Sequence, residues 1–214
     1  MPGKAVRRRQ IIQAAIEVFG RSNFQDASIC EIARKAGVAD GTIYQYFKNK
    51  EDLFFSIPLE RTKVFCRQLD LNLQGATGAR DKIRKLTWYY LDFFKTNPDY
   101  ARSLMLEMRT SRAFMKSRTY KGLRKFSDRV LQILEEGQQE GAVRRDVDIY
   151  LSRQLLLGIL EHIVTRWLLK GEGYDPVQCH EQVSALVLDG IARKDGDEAP
   201  RETERIVPRD GRAG

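Results

Sequence analysis

Residues 28–54 read SICEIARKAGVADGTIYQYFKNKEDLF, and this stretch decides the fold. Ile29, Ile32, Ala33 and Ala36 recur at i, i+3, i+4 and i+7, which predicts a short helix over about 28–36. Ser28 followed by Glu31 is a capping box that starts it. Gly37 can take the left-handed conformation that ends it. Val38 can fill the gap before a third helix, about 40–47, with Asp40 as its cap and Ile43 and Phe47 turned inward. Two short helices joined by AGVAD form a helix-turn-helix. Gly41, Thr42, Tyr44, Gln45 and Tyr46 then lie on the outer, N-terminal side of the second, the end that enters a major groove. Asn49 can cap a fourth helix with Asp52 at its third position, placing Lys50 where backbone amides favour a phosphate.

Working outward, the whole chain reads as helix. Ile11, Ile12, Ala15, Val18 and Phe19 line one side of a first helix, about 4–21. A long helix, about 50–74, ends before Gly75–Gly78, and further helices fall near 79–96, 98–110, 113–140, 147–170 and 177–193. Asn97 and Asp175 each offer a side-chain cap before a proline, and Gly141 and Gly171 are stop signals. The tail from Asp195 is charged and poor in apolar residues, so disorder is expected there. The fold class is all-α with about nine helices. Its expected units are a helix-turn-helix domain over 1–50, a second helical domain over 51–194, to which the family resemblance given below assigns ligand binding and dimerisation, and a tail over 195–214.

The segment SICEIARKAGVADGTIYQYFKNKEDLF, gap-free within about 7–55, resembles the DNA-binding domain of the TetR family of bacterial transcriptional regulators. The resemblance implies that the third helix reads a palindromic operator from a homodimer. Thr42, Tyr44 and Tyr46 match positions on backbone phosphates or base methyls, and Asp40, Gly41 and Gln45 match positions that adjust base readout. Lys50 matches a phosphate clamp, and Ser28 and Cys30 stand at the groove-facing start of the second helix. The residue chemistry agrees in part: the Gln45 amide can pair bidentately with adenine. Arg7, Arg8 and Arg9 can form a basic arm along a phosphate strand, or a solvated tail.

The resemblance also implies a helical sensing domain dimerised through its last two long helices. Leu155 to Leu160, Ile163, Val164, Trp167 and Leu168 make an apolar surface too wide for one face, with Gly158 open to close helix approach. Leu156, Ile159, Ile163, Trp167, Val183, Leu186 and Val187 are the expected interface. For an effector cavity, the aromatics and methionines of 88–130 supply Trp88, Tyr90, Phe94, Leu104, Met108, Phe126 and Val130, with His162 from a later helix.

The formal net charge of +8 favours partners that carry phosphate. It is concentrated in two places: residues 1–50 carry net +5, and residues 102–129 carry net +7. The segments LMLEMRTSRAFM, QEGAVRRDVD and ILEHIVTRWLL resemble the regulators of fatty-acid degradation within the TetR family, which sense acyl-CoA. On that resemblance Arg109 and Arg112 would meet the nucleotide's phosphates while an apolar tunnel takes the chain. A solvated basic face, a second DNA contact, or an unrelated hydrophobic or cationic effector are the competing readings.

Enzyme chemistry finds no support. There is no GxSxG, HExxH or P-loop, and adjacent Glu161 and His162 diverge by about 100° on a helix. The three cysteines form no CxxC pair, so no metal or other cofactor is implied. No apolar run is long enough to cross a bilayer and no signal peptide begins the chain, so a cytoplasmic protein with no membrane partner is expected.

Overall fold

The computed structural model describes residues 3–192, without the side chains of residues 118, 119, 121 and 122. The expected tail from Asp195 lies outside the described residues. Ten α-helices follow in order: α1 Lys4–Asp26, α2 Ile29–Ala36, α3 Asp40–Tyr44, α4 Lys50–Leu73, α5 Gly78–Lys95, α6 Pro98–Arg102, α7 Arg112–Met115, α8 Arg118–Gln139, α9 Ile149–Leu169 and α10 His180–Ile191. A π-helical segment, Ser103–Met108, continues α6, and a 3-10 turn, Pro176–Cys179, precedes α10. Among the described residues the single β-type pairing is an isolated bridge between Val143 and Ala192.

Local chemistry sets most boundaries. Ser28 accepts the Glu31 N–H at 3.1 Å, and Gly37 adopts φ +64° with its N–H returned to α2 carbonyls. Asp148 and Asp175 cap their helices with carboxylate oxygens. The single helix expected over 113–140 is instead two, because Ser117 accepts the Tyr120 N–H and restarts the chain there. The helix expected over 98–110 widens after one turn; Arg109 N–H reaches back five residues to the Leu104 carbonyl at 3.1 Å. Two expected caps fail. Asn97 turns its amide back to the Phe93 carbonyl and leaves only Pro98 to start α6. Asp40 is already inside α3, with Ala39 at the cap position and no side-chain cap bond.

The N-terminal core gathers Ile11, Ala15, Phe19, Ile32, Ile43 and Phe47 against Leu53, Phe54 and Ile57 of α4. At about 1.5–3 kcal/mol per fully buried large apolar side chain, this burial holds α2 and α3, of eight and five residues, which would not persist alone. α4 then runs on between α5 and α8, so one rigid rod serves both halves. Around it α5, α6, α8, α9 and α10 enclose the second core.

Candidate functional site

The first candidate site is the outer face of α2 and α3. Burial of Ile43 and Phe47 fixes the rotation of α3 and forces its other residues outward. Asp40, Gly41, Tyr44 and Gln45 are exposed, Thr42 and Tyr46 half-buried, and Ser28 and Cys30 exposed at the start of α2. Tyr44 is 56% exposed, a large ring with no intramolecular reason to face solvent. Lys50 begins α4 beneath the Asn49 cap, which accepts the Asp52 N–H at 2.8 Å. Its ammonium, however, is turned onto the Gln25 and Ala27 carbonyls at 3.2 and 3.0 Å and over the Phe24 ring at 4.6 Å. It therefore clasps the α1–α2 turn, with one N–H of three remaining for a phosphate. Arg7, Arg8 and Arg9 are not an extended arm. They belong to α1, where nothing in the sequence breaks the helix, and Arg8 is pinned by Glu60 at 3.0 Å and lies over Phe47 at 5.1 Å.

The second candidate site is a cavity of about 470 Å³ between α4, α5, the π-helical segment, α8 and α9. Phe65, Tyr90, Phe93, Phe94, Tyr100 and Phe126 form its aromatic wall, in edge-on and stacked contacts at 4.8–6.4 Å. Leu104, Met105, Tyr120, Leu123 and Leu157 extend it. Its polar wall carries Thr62, Arg109, Arg124, Ser127, Arg153, Gln154 and Glu161. Arg109 and Glu161 form an ion pair across the cavity lining. Burial pushes the Glu161 carboxyl above the ordinary range, and Arg109 pulls it back. Burial also raises the phenols of Tyr90 and Tyr100, so both stay neutral donors.

Of the residues expected here, Tyr90, Phe94, Leu104, Arg109 and Phe126 line the cavity. Met108 and Val130 are buried but behind the wall; the π-helical segment aims Leu104 and Met105 inward and Met108 aside. Trp88 is 38% exposed on the opposite side of α5 from Tyr90, and Arg112 and His162 are exposed, so none of these three lines the cavity. Arg124, Arg153 and Glu161 were not expected. Arg124 falls in the same basic stretch, but α8 begins afresh after α7, and only its rotation selects Arg124. Arg153 of α9 is 4% exposed, and that unusual burial of an arginine is visible only in the fold.

The two sites meet at a joint between α1 and α6. Gly20 lies so close to α6 that a Cβ there would be 2.5 Å from the Asp99 Cβ and 2.6 Å from its Cα. Arg102 donates to the Gly20 carbonyl at 2.8 Å and is itself held by Asp99 and Glu172. Glu107 accepts the Phe24 N–H at 2.6 Å, just after Asn23 takes φ +57° and kinks the end of α1. The segment that supplies Leu104, Met105 and Arg109 to the cavity thus also grips the last turn of α1.

The expected dimer face needs correction. Leu156, Trp167, Val183 and Val187 are buried within their own chain, because α10 packs its apolar side on α5 and α9. Ile163 is half-buried. Ile159 and Leu186 are exposed, joined by Leu155 and Leu169, which were not expected. Leu155, Ile159, His162, Arg166 and Leu169 follow a 4-3-4-3 spacing along one side of α9.

Among the described residues, no helix is long and apolar enough to cross a membrane, and no three His, Cys, Asp or Glu side chains are grouped so as to hold a metal ion.

Known proteins match both halves. Residues 11–57 match the family described as "Bacterial regulatory proteins, tetR family", and residues 59–190 match "YsiA-like protein, C-terminal region". The chain is 31% identical to the fatty acid metabolism regulator protein of Bacillus subtilis (strain 168), over 91% of this chain and 100% of that one. The fatty acid degradation regulator FadR from Bacillus halodurans superposes with a TM-score of 0.82 at 30% identity, covering 90% of this chain and 100% of its own. The transcriptional regulator FadR from Bacillus subtilis in complex with stearoyl-CoA superposes with a TM-score of 0.81 at 31% identity, covering 86% and 98%.

Proposed function

The chain belongs to the tetR family of bacterial regulatory proteins, and from that premise we propose that the ligand of this transcriptional regulator is a long-chain fatty acyl thioester of coenzyme A, whose binding releases a dimeric repressor from a palindromic operator in the cytoplasm. The observation that carries the reading is a cavity with an aromatic wall and three arginines, Arg109, Arg124 and Arg153, in its polar wall. An acyl chain gains by leaving water for the first, and nucleotide phosphates accept charge-assisted hydrogen bonds from the second. The similar regulator bound to stearoyl-CoA supports it.

Residues 1–50 form the DNA-reading unit and 51–194 the effector and dimer unit. Thr42, Tyr44 and Tyr46 approach phosphates and thymine methyls, Gln45 reads a base edge, and Asp40 and Gly41 set the fit. Ser28 and Cys30 border the groove, with Arg7, Arg9 and the remaining donor of Lys50 near the backbone. Arg8 has a structural role. The exposed stripe of α9, with Leu186 of α10, meets its copy across a two-fold axis. Effector binding shifts the population toward a conformer in which the π-helical segment moves and takes α1 with it through Arg102 and Glu107.

The test is a titration of the dimer on DNA from upstream of its own gene, followed by fluorescence anisotropy. Palmitoyl-CoA is expected to release the DNA at micromolar concentration and coenzyme A alone is not. Release by neither overturns the effector assignment. Ile159→Glu with Leu186→Glu is expected to halve the mass in sedimentation and abolish operator binding; an unchanged mass rejects the interface.

A further inference from the structure

The carboxylate of Glu161 is unexpected in this cavity. A wall built only to attract a phosphate-bearing ligand gains nothing from an anion set among its arginines, and burial already works against the charge on Glu161. Glu161 nonetheless lies in the lining, ion-paired to Arg109 and close enough to Tyr90 to push its phenol further up. The pair bridges the end of the π-helical segment to α9, so its geometry is fixed by two separate elements.

We propose that Glu161 is a selectivity residue: by occupying Arg109 it makes the cavity accept an acyl group as the uncharged thioester and refuse the same chain as a free carboxylate. The proposal rests on the acyl-thioester reading of the cavity. A guanidinium has five N–H donors, so Arg109 can hold Glu161 and still donate to a thioester or amide carbonyl. Nothing has to be displaced and no charge is added at the Arg109–Glu161 pair, because the acyl group itself is neutral and the phosphates lie at the other end of the ligand. A fatty carboxylate has two routes, both unfavourable. It can take Arg109 for itself, which leaves the Glu161 carboxylate in the cavity wall without its cation. Or it can lie beside the intact pair as a second anion, where like charge opposes it. The other arginines do not remove the conflict: Arg124 and Arg153 meet the nucleotide phosphates in this reading, and a carboxylate placed on either is still a second anion in the wall that holds Glu161.

Glu161→Gln keeps the shape and frees Arg109. The experiment titrates palmitoyl-CoA and palmitate, separately, against the DNA complex of wild type, E161Q and the double variant R109Q/E161Q, which leaves no lone charge in the wall. Direct palmitate binding is followed by displacement of a fluorescent fatty acid. Wild type is expected to respond to palmitoyl-CoA and not to palmitate. E161Q is expected to gain release by palmitate at a concentration at least about tenfold below any that acts on wild type, so that its response shifts toward palmitate relative to palmitoyl-CoA. The double variant is expected to lose that gain. A folded E161Q that answers palmitoyl-CoA but gains no palmitate binding overturns the proposal, as does a double variant that gains as much as the single one. A wild type indifferent to palmitoyl-CoA overturns the cavity reading instead, a different and separately visible outcome.

Discussion

The segments 1–50 and 102–129 both carry a large positive excess, yet the fold treats their charges differently. In the first, the recognition surface stands on a five-residue helix whose orientation follows from two buried side chains, Ile43 and Phe47. Of its arginines and lysines, Arg8, Lys35 and Lys50 are held by Glu60, Glu17 and backbone carbonyls. In the second, the sequence sets only Glu107 and Asp128 against nine cations. The fold brings Asp70, Asp99, Glu161 and Glu172 to Arg129, Arg102 and Arg109. Three of the nine cations that read along the chain as a solvated basic face, Arg102, Arg109 and Arg129, are thus ties to carboxylates on other segments. A run of like charge is evidence of a phosphate site only after its partners from distant segments are known.

The comparison can be broken most sharply on the DNA side. Thr42→Ala with Tyr44→Ala removes two outward contacts and, since Tyr44 is mostly exposed, little packing. With about 1–3 kcal/mol per contact, operator affinity in anisotropy is expected to fall at least about 30-fold with palmitoyl-CoA binding unchanged. A parallel loss of both would make the two regions one site.

A smaller effect is expected at the joint between them. Gly20→Ala forces a methyl against the Cα and carbonyl of Asp99, backbone atoms that cannot swing away. Destabilisation of about 1–3 kcal/mol in urea unfolding is expected, with weaker coupling between effector and operator. Unchanged stability would mean α1 and α6 move apart freely and do not transmit.

The smallest is a charge effect at Glu107. Burial raises its carboxyl above the ordinary value, and the Phe24 N–H lowers it in part. The folded state therefore binds a proton more readily than the unfolded state. Between the raised folded value and 4.5, stability rises as pH falls. Glu107→Gln keeps an acceptor for Phe24 and removes the charge. It is expected to shift stability on the order of 0.5 kcal/mol at neutral pH, with the gap to wild type narrowing on acidification. Because the charge is disfavoured in the folded state, the variant should be the more stable of the two at neutral pH, and a variant less stable than wild type would mean that the negative charge itself stabilises the joint.

The DNA-reading half was legible because its information is local. The Ser28 box, Gly37 and the Asn49 cap are contacts within four residues, so spacing alone reports them. The exceptions are also instructive. Asp40 sits one position too late to cap, a shift within the ordinary uncertainty of a helix end. Arg8 leaves the expected arm because Glu60, 52 residues away, is its partner. Tyr90, Phe94 and Phe126, picked out by aromatic content, line the cavity, but composition says nothing of rotation. Trp88 and Tyr90 are two residues apart on α5 and face different environments.

The sequence by itself determined an all-helical chain, a helix-turn-helix and its outward residues, because caps, turns and periodicity act over a few positions. Tertiary structure alone decided that Leu156 and Trp167 are core while Ile159 is open, that a π-helical turn aims Leu104 inward, and that Glu161 neutralises Arg109. Each depends on which helix comes to lie alongside, and the energy of such contacts is set by the distance and burial of groups far apart in the chain.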